Sequence, residues 1–158
     1  MTQTKPPTVS VSTTIEADPA TVYAMVGDVT RMGEWSPENT GSEWLGGATG
    51  PAVGARFKGK NQHGSHGWST VCEVIEADAG ARFAFRTKAM GLSVAVWRYR
   101  FSGDDAGGCT VTEEWVDERG KVITVAGRFA TGVADRAEHN RAGMEQTLAA
   151  LKAAAEAR

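Results

Sequence analysis

Hydrophobic and polar positions alternate with a period of two over the middle of the chain and follow a helical period towards both ends. In TVSVSTTI, Val9, Val11, Thr13 and Ile15 share one face, which predicts a half-buried strand. EADPATVYAMVGD then changes period. Asp18 is a good N-cap, and Pro19 takes the first helical position, where a missing N–H costs nothing. Val22, Tyr23 and Val26 form the stripe this helix buries, and Gly27 and Asp28 end it. Asp28 also caps a second, shorter turn of helix; Gly33 closes it and Pro37 stops it resuming.

From Asn39 the strand period takes over. SEWLGG, ARFKGKN, WSTVCEVIEA, RFAFRTK, LSVAVWRYRFSG and CTVTEEWVD read as six strands. GATGPAVG is a turn-rich connection, QHGSHG a loop, and DAGA, AMG and DDAGG are tight turns. Strands joined in this way imply one antiparallel meander. The remainder, from Lys121 onward, reads as one long helix. Val122, Val125, Phe129, Val133, Met144, Leu148 and Leu151 recur at helical spacing, while Gly127 and Gly132 weaken the first half and are places for it to bend. The order is α+β: a strand, two short helices, six strands and a long helix that a curved sheet can wrap around.

Composition narrows the class. The 158 residues are 41% hydrophobic and 23% charged, with a net charge of -2, which gives no electrostatic footprint for nucleic acid. No apolar run approaches the roughly 20 residues of a membrane span. MTQTKPPTVS lacks the apolar stretch of a signal peptide. Cys72 and Cys109 are too few for a disulfide scaffold, so a cytoplasmic protein with reduced thiols is expected. Residues 1–158 are expected to form a single domain, with 1–7 disordered.

The carrying stretches are IEADPATVYAMVGDVTRMGEWSPE, GARFKGKN, WSTVCEVIEADAGARFAF, WRYRF, GCTVTEEW and NRAGMEQTLAALK. On these, from about Val9 to Lys152, the chain resembles the helix-grip fold of the birch-pollen-allergen and START-like (SRPBCC) superfamily. More narrowly, it resembles the bacterial polyketide cyclase/dehydrase and lipid-transport family. The resemblance implies a seven-stranded curved antiparallel sheet with two short helices. It also implies a long C-terminal helix enclosing a cavity for a lipid-, steroid- or polyketide-like molecule. Some members are enzymes and others carriers, and fold does not decide between them.

The residues give candidates for such a site. Successive strand side chains face opposite sides. Phe57 with Gly59 and Asn61, Phe83 with Phe85 and Thr87, Trp97 with Tyr99 and Phe101, and Val111 with Glu113 and Trp115 fall on the expected concave face. Glu113 is then a carboxylate among apolar side chains, and it needs a donor or a proton. Along one continuous helix, Val122, Phe129, Val133, Arg136, Asn140 and Leu151 share a stripe that is polar in the middle. Candidate ligand contacts are therefore Trp35, Phe57, Phe83, Phe85, Trp97, Tyr99, Glu113, Trp115, Phe129, Arg136 and Asn140.

Each candidate has a plainer reading. Glu113 and Arg136 can form a structural ion pair, the aromatics are core residues first, and Trp35 can plug one end of the sheet. Trp44 and Trp68 sit near strand ends, and His139 falls on the helix flank. His63 and His66 lack a third metal ligand at convincing spacing and read as a solvated turn. Cys72 has no His partner, Ser36 no nucleophile-elbow context, and GATGPAVG no P-loop Lys. Arg56, Lys58 and Lys60 form a solvated basic row. The expectation is a binding protein, monomer or homodimer, for a small hydrophobic molecule, with no cofactor and no metal. A cyclase or dehydrase using Glu113 as acid/base, with Arg136 or Asn140 orienting a carbonyl, is the alternative; an adaptor offering its sheet to a protein partner is weaker.

Overall fold

A computed structural model describes residues 5–157. Seven strands form one antiparallel sheet: β1 (Val9–Ile15), β2 (Asn39–Leu45), β3 (Arg56–His63), β4 (His66–Asp78), β5 (Arg82–Ala89), β6 (Leu92–Gly103) and β7 (Cys109–Asp117). Their spatial order is β1-β7-β6-β5-β4-β3-β2, a meander closed at one side by the first strand. Helix α1 (Pro19–Gly27) and a 3-10 helix (Val29–Glu34) carry the chain from one edge of the curved sheet to the other. Asp18 and Asp28 cap them as expected, accepting from the backbone N–H of Ala20 and of Thr30. Of the segment expected to be disordered, residues 1–4 lie outside the described residues. Residues 5–7 are exposed, and the Lys5 carbonyl accepts from Arg98 Nη2 at 3.2 Å.

One connection is tighter than the sequence suggests, and another is a tight turn as expected. HGSH is not an open loop: His63 pairs with His66, and only Gly64 and Ser65 turn between the strands, with Gly64 at φ 58°. The turn at Met90 and Gly91 has both residues at positive φ, 53° and 74°, which matches the right-handed twist of a two-residue hairpin.

The expected continuous C-terminal helix is broken. Helix α2 (Lys121–Thr131) ends at Gly132, which is left-handed at φ 71°, and α3 (Arg136–Glu156) restarts from an Asp135 cap. A helical phase cannot be carried across such a break. Helix α2 buries Ile123 and Thr131, while Val122, Val125 and Phe129 face outward, Phe129 at 80% exposure. Helix α3 buries Asn140, Met144, Thr147, Leu148, Leu151 and Ala155, packing chiefly along β1. Its far end is pinned there: Glu156 Oε2 accepts from the Glu16 N–H at 2.8 Å, and Lys152 Nζ donates to the Thr14 carbonyl at 2.8 Å. Among the described residues no helix is long and apolar enough to cross a membrane.

Gly132 is required at the break. A Cβ there would lie 2.8 Å from His66 Nδ1. Gly132→Ala is expected to cost about 2 kcal/mol, from the left-handed backbone and displacement of the His66 ring. Urea unfolding checks this; a cost near zero would mean that the break is not fixed by this residue.

Candidate functional site

The inward faces of the strands lie where alternation puts them, but most of that surface is filled. Phe57, Phe83 and Phe85 pack on one another, with ring centroids 5.0 Å apart for Phe57 and Phe85 and 5.8 Å for Phe83 and Phe85. Trp35 is buried in the same core, with the Arg31 guanidinium 4.9 Å from its ring centre. Trp115 belongs to a second core with Val9, Ala95 and Met144. These five candidate contacts are therefore core residues, and Phe129 points to solvent because α2 stops before α3 begins.

Space remains between the first half of α3, the loop before β2 and the β3–β4 turn. A cleft of about 350 Å³ opens there. Its walls are Ser36–Glu38 after the 3-10 helix, Gln62–Gly64 at the β3–β4 turn, Trp97 and Glu113 from the sheet, and one face of α3 from His139 to Thr147. Pro37 seats this loop beside Gly143, close enough that a Cβ there would meet Pro37 Cγ at 3.6 Å, an ordinary contact. Of the residues expected at a ligand site, Trp97, Glu113 and Asn140 line the cleft. The lining is more polar than expected, because Glu38, Gln62, His63 and His139 join it.

Glu113 is the distinctive group. It is 2% exposed, and the register of β6 and β7 sets it opposite Tyr99, whose hydroxyl donates to Glu113 Oε1 at 2.9 Å. Glu113 Oε2 is buried and has no hydrogen-bond partner. Burial pushes the carboxyl up to about 8, with the Tyr99 hydrogen bond only partly opposing it. At neutral pH the group is mostly protonated, so it presents an O–H donor that no protein atom accepts. The Tyr99 phenol is held well above its ordinary range by burial and by the neighbouring Glu113 charge.

Arg136 is not the partner of Glu113. Its Nη1 donates to both oxygens of Glu38, at 3.1 and 3.0 Å, and approaches Asn140 Oδ1 at 3.4 Å. Its guanidinium lies 5.6 Å from the Trp68 ring centre. His139, expected on a flank, instead has Nε2 2.6 Å from Glu38 Oε2, and its ring meets that of His63 edge-on at 4.7 Å. Glu38, His63 and His139 meet with no sequence signature, since they lie on a loop, a strand end and a helix that only the fold brings together. Cys72 is buried and its thiol is pushed up to about 11, so it is not a thiolate at neutral pH.

Among functionally curated proteins none matches this chain. Among solved structures, a polyketide-cyclase-like protein from Corynebacterium glutamicum, Cgl2372, is 30% identical. The match covers 91% of this chain and 88% of that one, with a TM-score of 0.60. The dimeric Aha1 of Colwellia psychrerythraea is 14% identical over 94% of this chain and 95% of its own, with a TM-score of 0.62. The di-domain ARO/CYC StfQ of the steffimycin biosynthetic pathway is 12% identical over 94% of this chain and 44% of its own, with a TM-score of 0.65. At such identities the last two likenesses show the fold alone. The family model for polyketide cyclase/dehydrase and lipid transport spans residues 6–156, nearly every residue that builds the sheet, the cleft and the helix above it, and the chain belongs to that family.

Proposed function

We propose that this protein binds a small, largely apolar molecule carrying a carbonyl or hydroxyl oxygen in the cleft between the sheet and α3. The observation that carries this reading is that Glu113, whose buried Oε2 has no protein hydrogen-bond partner, is one of the residues lining that cleft. Leaving such an atom unpaired costs about 1–3 kcal/mol, which a ligand oxygen recovers by accepting its proton. Trp97 and Met144 supply apolar surface beside it, and Asn140 a second polar contact. A volume of about 350 Å³ is at the low end for small-molecule sites and suits a compact ligand rather than a long lipid chain. The family description and the presence of an ARO/CYC among proteins of this fold support a polyketide-like ligand.

A second reading is a cyclase or dehydrase. One observation favours it: a carboxyl at about 8 exchanges its proton near working pH, as a general acid must. Glu113 then protonates a carbonyl or departing hydroxyl held against it, and Asn140 orients the substrate.

Native mass spectrometry of freshly purified protein tests for a co-purified ligand. Titration with a fluorescent hydroxynaphthyl ketone tests the anchor. Glu113→Leu is expected to weaken binding roughly 10-fold, the worth of about 1.4 kcal/mol of hydrogen bonding. Glu113→Gln keeps a donor and is expected to bind nearly as well as the parent at neutral pH. Unchanged affinity in Glu113→Leu would remove Glu113 from the site, and turnover unaffected by Glu113→Gln would remove its role as an acid.

A further inference from the structure

We infer that Glu38, His63 and His139 form a binding site for one divalent transition metal ion of the zinc class at the mouth of the cleft. No part of this rests on the ligand reading of Glu113. The three residues come from separate elements: the loop before β2, the last position of β3 and the first turn of α3. Each offers one donor atom, and all these atoms lie within 4.8 Å of one another.

The chemistry of the set fits. Two imidazoles and one carboxylate are a recurring ligand combination for zinc, which bonds nitrogen and carboxylate oxygen at about 2.0–2.2 Å. Donor atoms around a tetrahedral ion then sit roughly 3.4 Å apart. His139 Nε2 and Glu38 Oε2, 2.6 Å apart, need only open slightly, and the ion stands where their hydrogen bond now lies. His63 closes from the other side. It adjoins a two-residue turn, and its ring already meets that of His139 at 4.7 Å and 79°.

The surroundings are built for orientation. Arg136 Nη1 donates to both oxygens of the Glu38 carboxylate and fixes its orientation, as outer partners of metal-binding carboxylates do. Its positive charge also offsets the single negative ligand, so moderate affinity is expected rather than the very tight binding of thiolate sites. All three ligands line the cleft, so an ion they hold would lie on its wall. A water or a ligand oxygen there would share the cleft with Glu113. His66, the other histidine of the hairpin, packs against Gly132 and takes no part.

The test uses the full chain, stripped by chelator and returned to metal-free buffer. Zn²⁺ is titrated by calorimetry, and Co²⁺ by the visible d–d bands of a low-coordinate site. One ion per chain is expected. His63→Ala, His139→Gln and Glu38→Gln are each expected to weaken Zn²⁺ binding at least about 10-fold, the loss typical even for outer-shell partners. His66→Ala is expected to leave it unchanged. Urea unfolding of each variant confirms a native fold, and His139→Gln keeps most of the side-chain volume in α3. Three results would overturn the site: no stoichiometric binding by the parent, binding retained in folded His63→Ala and His139→Gln, or loss in His66→Ala matching theirs.

Discussion

Glu113→Gln is expected to make the protein more stable, and the gain is expected to grow as pH rises. In the folded chain the carboxyl is held at about 8 against an ordinary value of 4.5, because it is sealed among apolar side chains. The folded state therefore keeps its proton where the unfolded state has lost it. Below about pH 4.5 both states are protonated, and the two variants differ only by the local cost of the new amide. Between about 4.5 and 8 the parent loses roughly 1.4 kcal/mol of stability per pH unit, about 4 to 5 kcal/mol in all. Above that window both states are ionised and the loss is complete. Glutamine does not titrate, and its oxygen still accepts from Tyr99, so the variant is spared the loss. Urea unfolding of both proteins from about pH 5 to about pH 9 reads the difference directly. Parallel stability curves would mean that Glu113 is solvated or charge-paired. A site where the native residue is the less stable choice is the expected mark of a functional group, since activity and stability make opposite demands there.

That carboxylate was legible in the sequence for a simple reason. Side chains on a strand alternate strictly, so Val111, Glu113 and Trp115 must share a face, and the aromatic partners on β6 say which face is inward. The same logic placed Phe57, Phe83, Phe85, Trp97 and Tyr99 correctly on that face. It could not say which of them touch each other and which border space, because that depends on distances between strands and helix. Helical phase failed at one residue. With Gly132 left-handed, the angular relation of Phe129 to Arg136 is set by the break and not by a turn of about 100° per residue. The stripe that joined them does not exist, and the partner of Arg136 became Glu38 instead of Glu113. The Glu38–His63–His139 group was invisible for a related reason. Its members are separated by long stretches of chain, and their meeting depends on the tight His63–His66 pairing and on how the Pro37 loop rests on Gly143. None of that leaves a periodic trace.

Trp115→Ala is expected to cost about 3–5 kcal/mol, a large part of the stability of a domain this size. Trp115 is 2% exposed, packed with Val9, Ala95 and Met144 where β1, β7, β6 and α3 meet. Its ring lies 6.3 Å from that of Trp97, and the Arg119 guanidinium stands 5.8 Å above it. Truncation removes the burial of a large aromatic surface and leaves a cavity that backbone on both sides holds open. Val9 is directly opposite in the β1–β7 register, and Trp97 is opposite in the β7–β6 register, so neither strand can close over the gap without losing ladder bonds. Trp97→Ala is expected to cost less, because one side of that ring borders the cleft and its loss only enlarges a space already open. Urea unfolding of the two variants compares them. Equal costs, or a smaller cost at Trp115, would mean that Trp115 borders open space and belongs with the ligand contacts after all. The expected order instead places the boundary between core and cleft between these two neighbouring rings, with Trp115 holding Trp97 in position from behind. An affinity loss in Trp115→Ala would then follow from the displaced Trp97 ring, and it should be smaller than the loss in Trp97→Ala, which removes the wall itself.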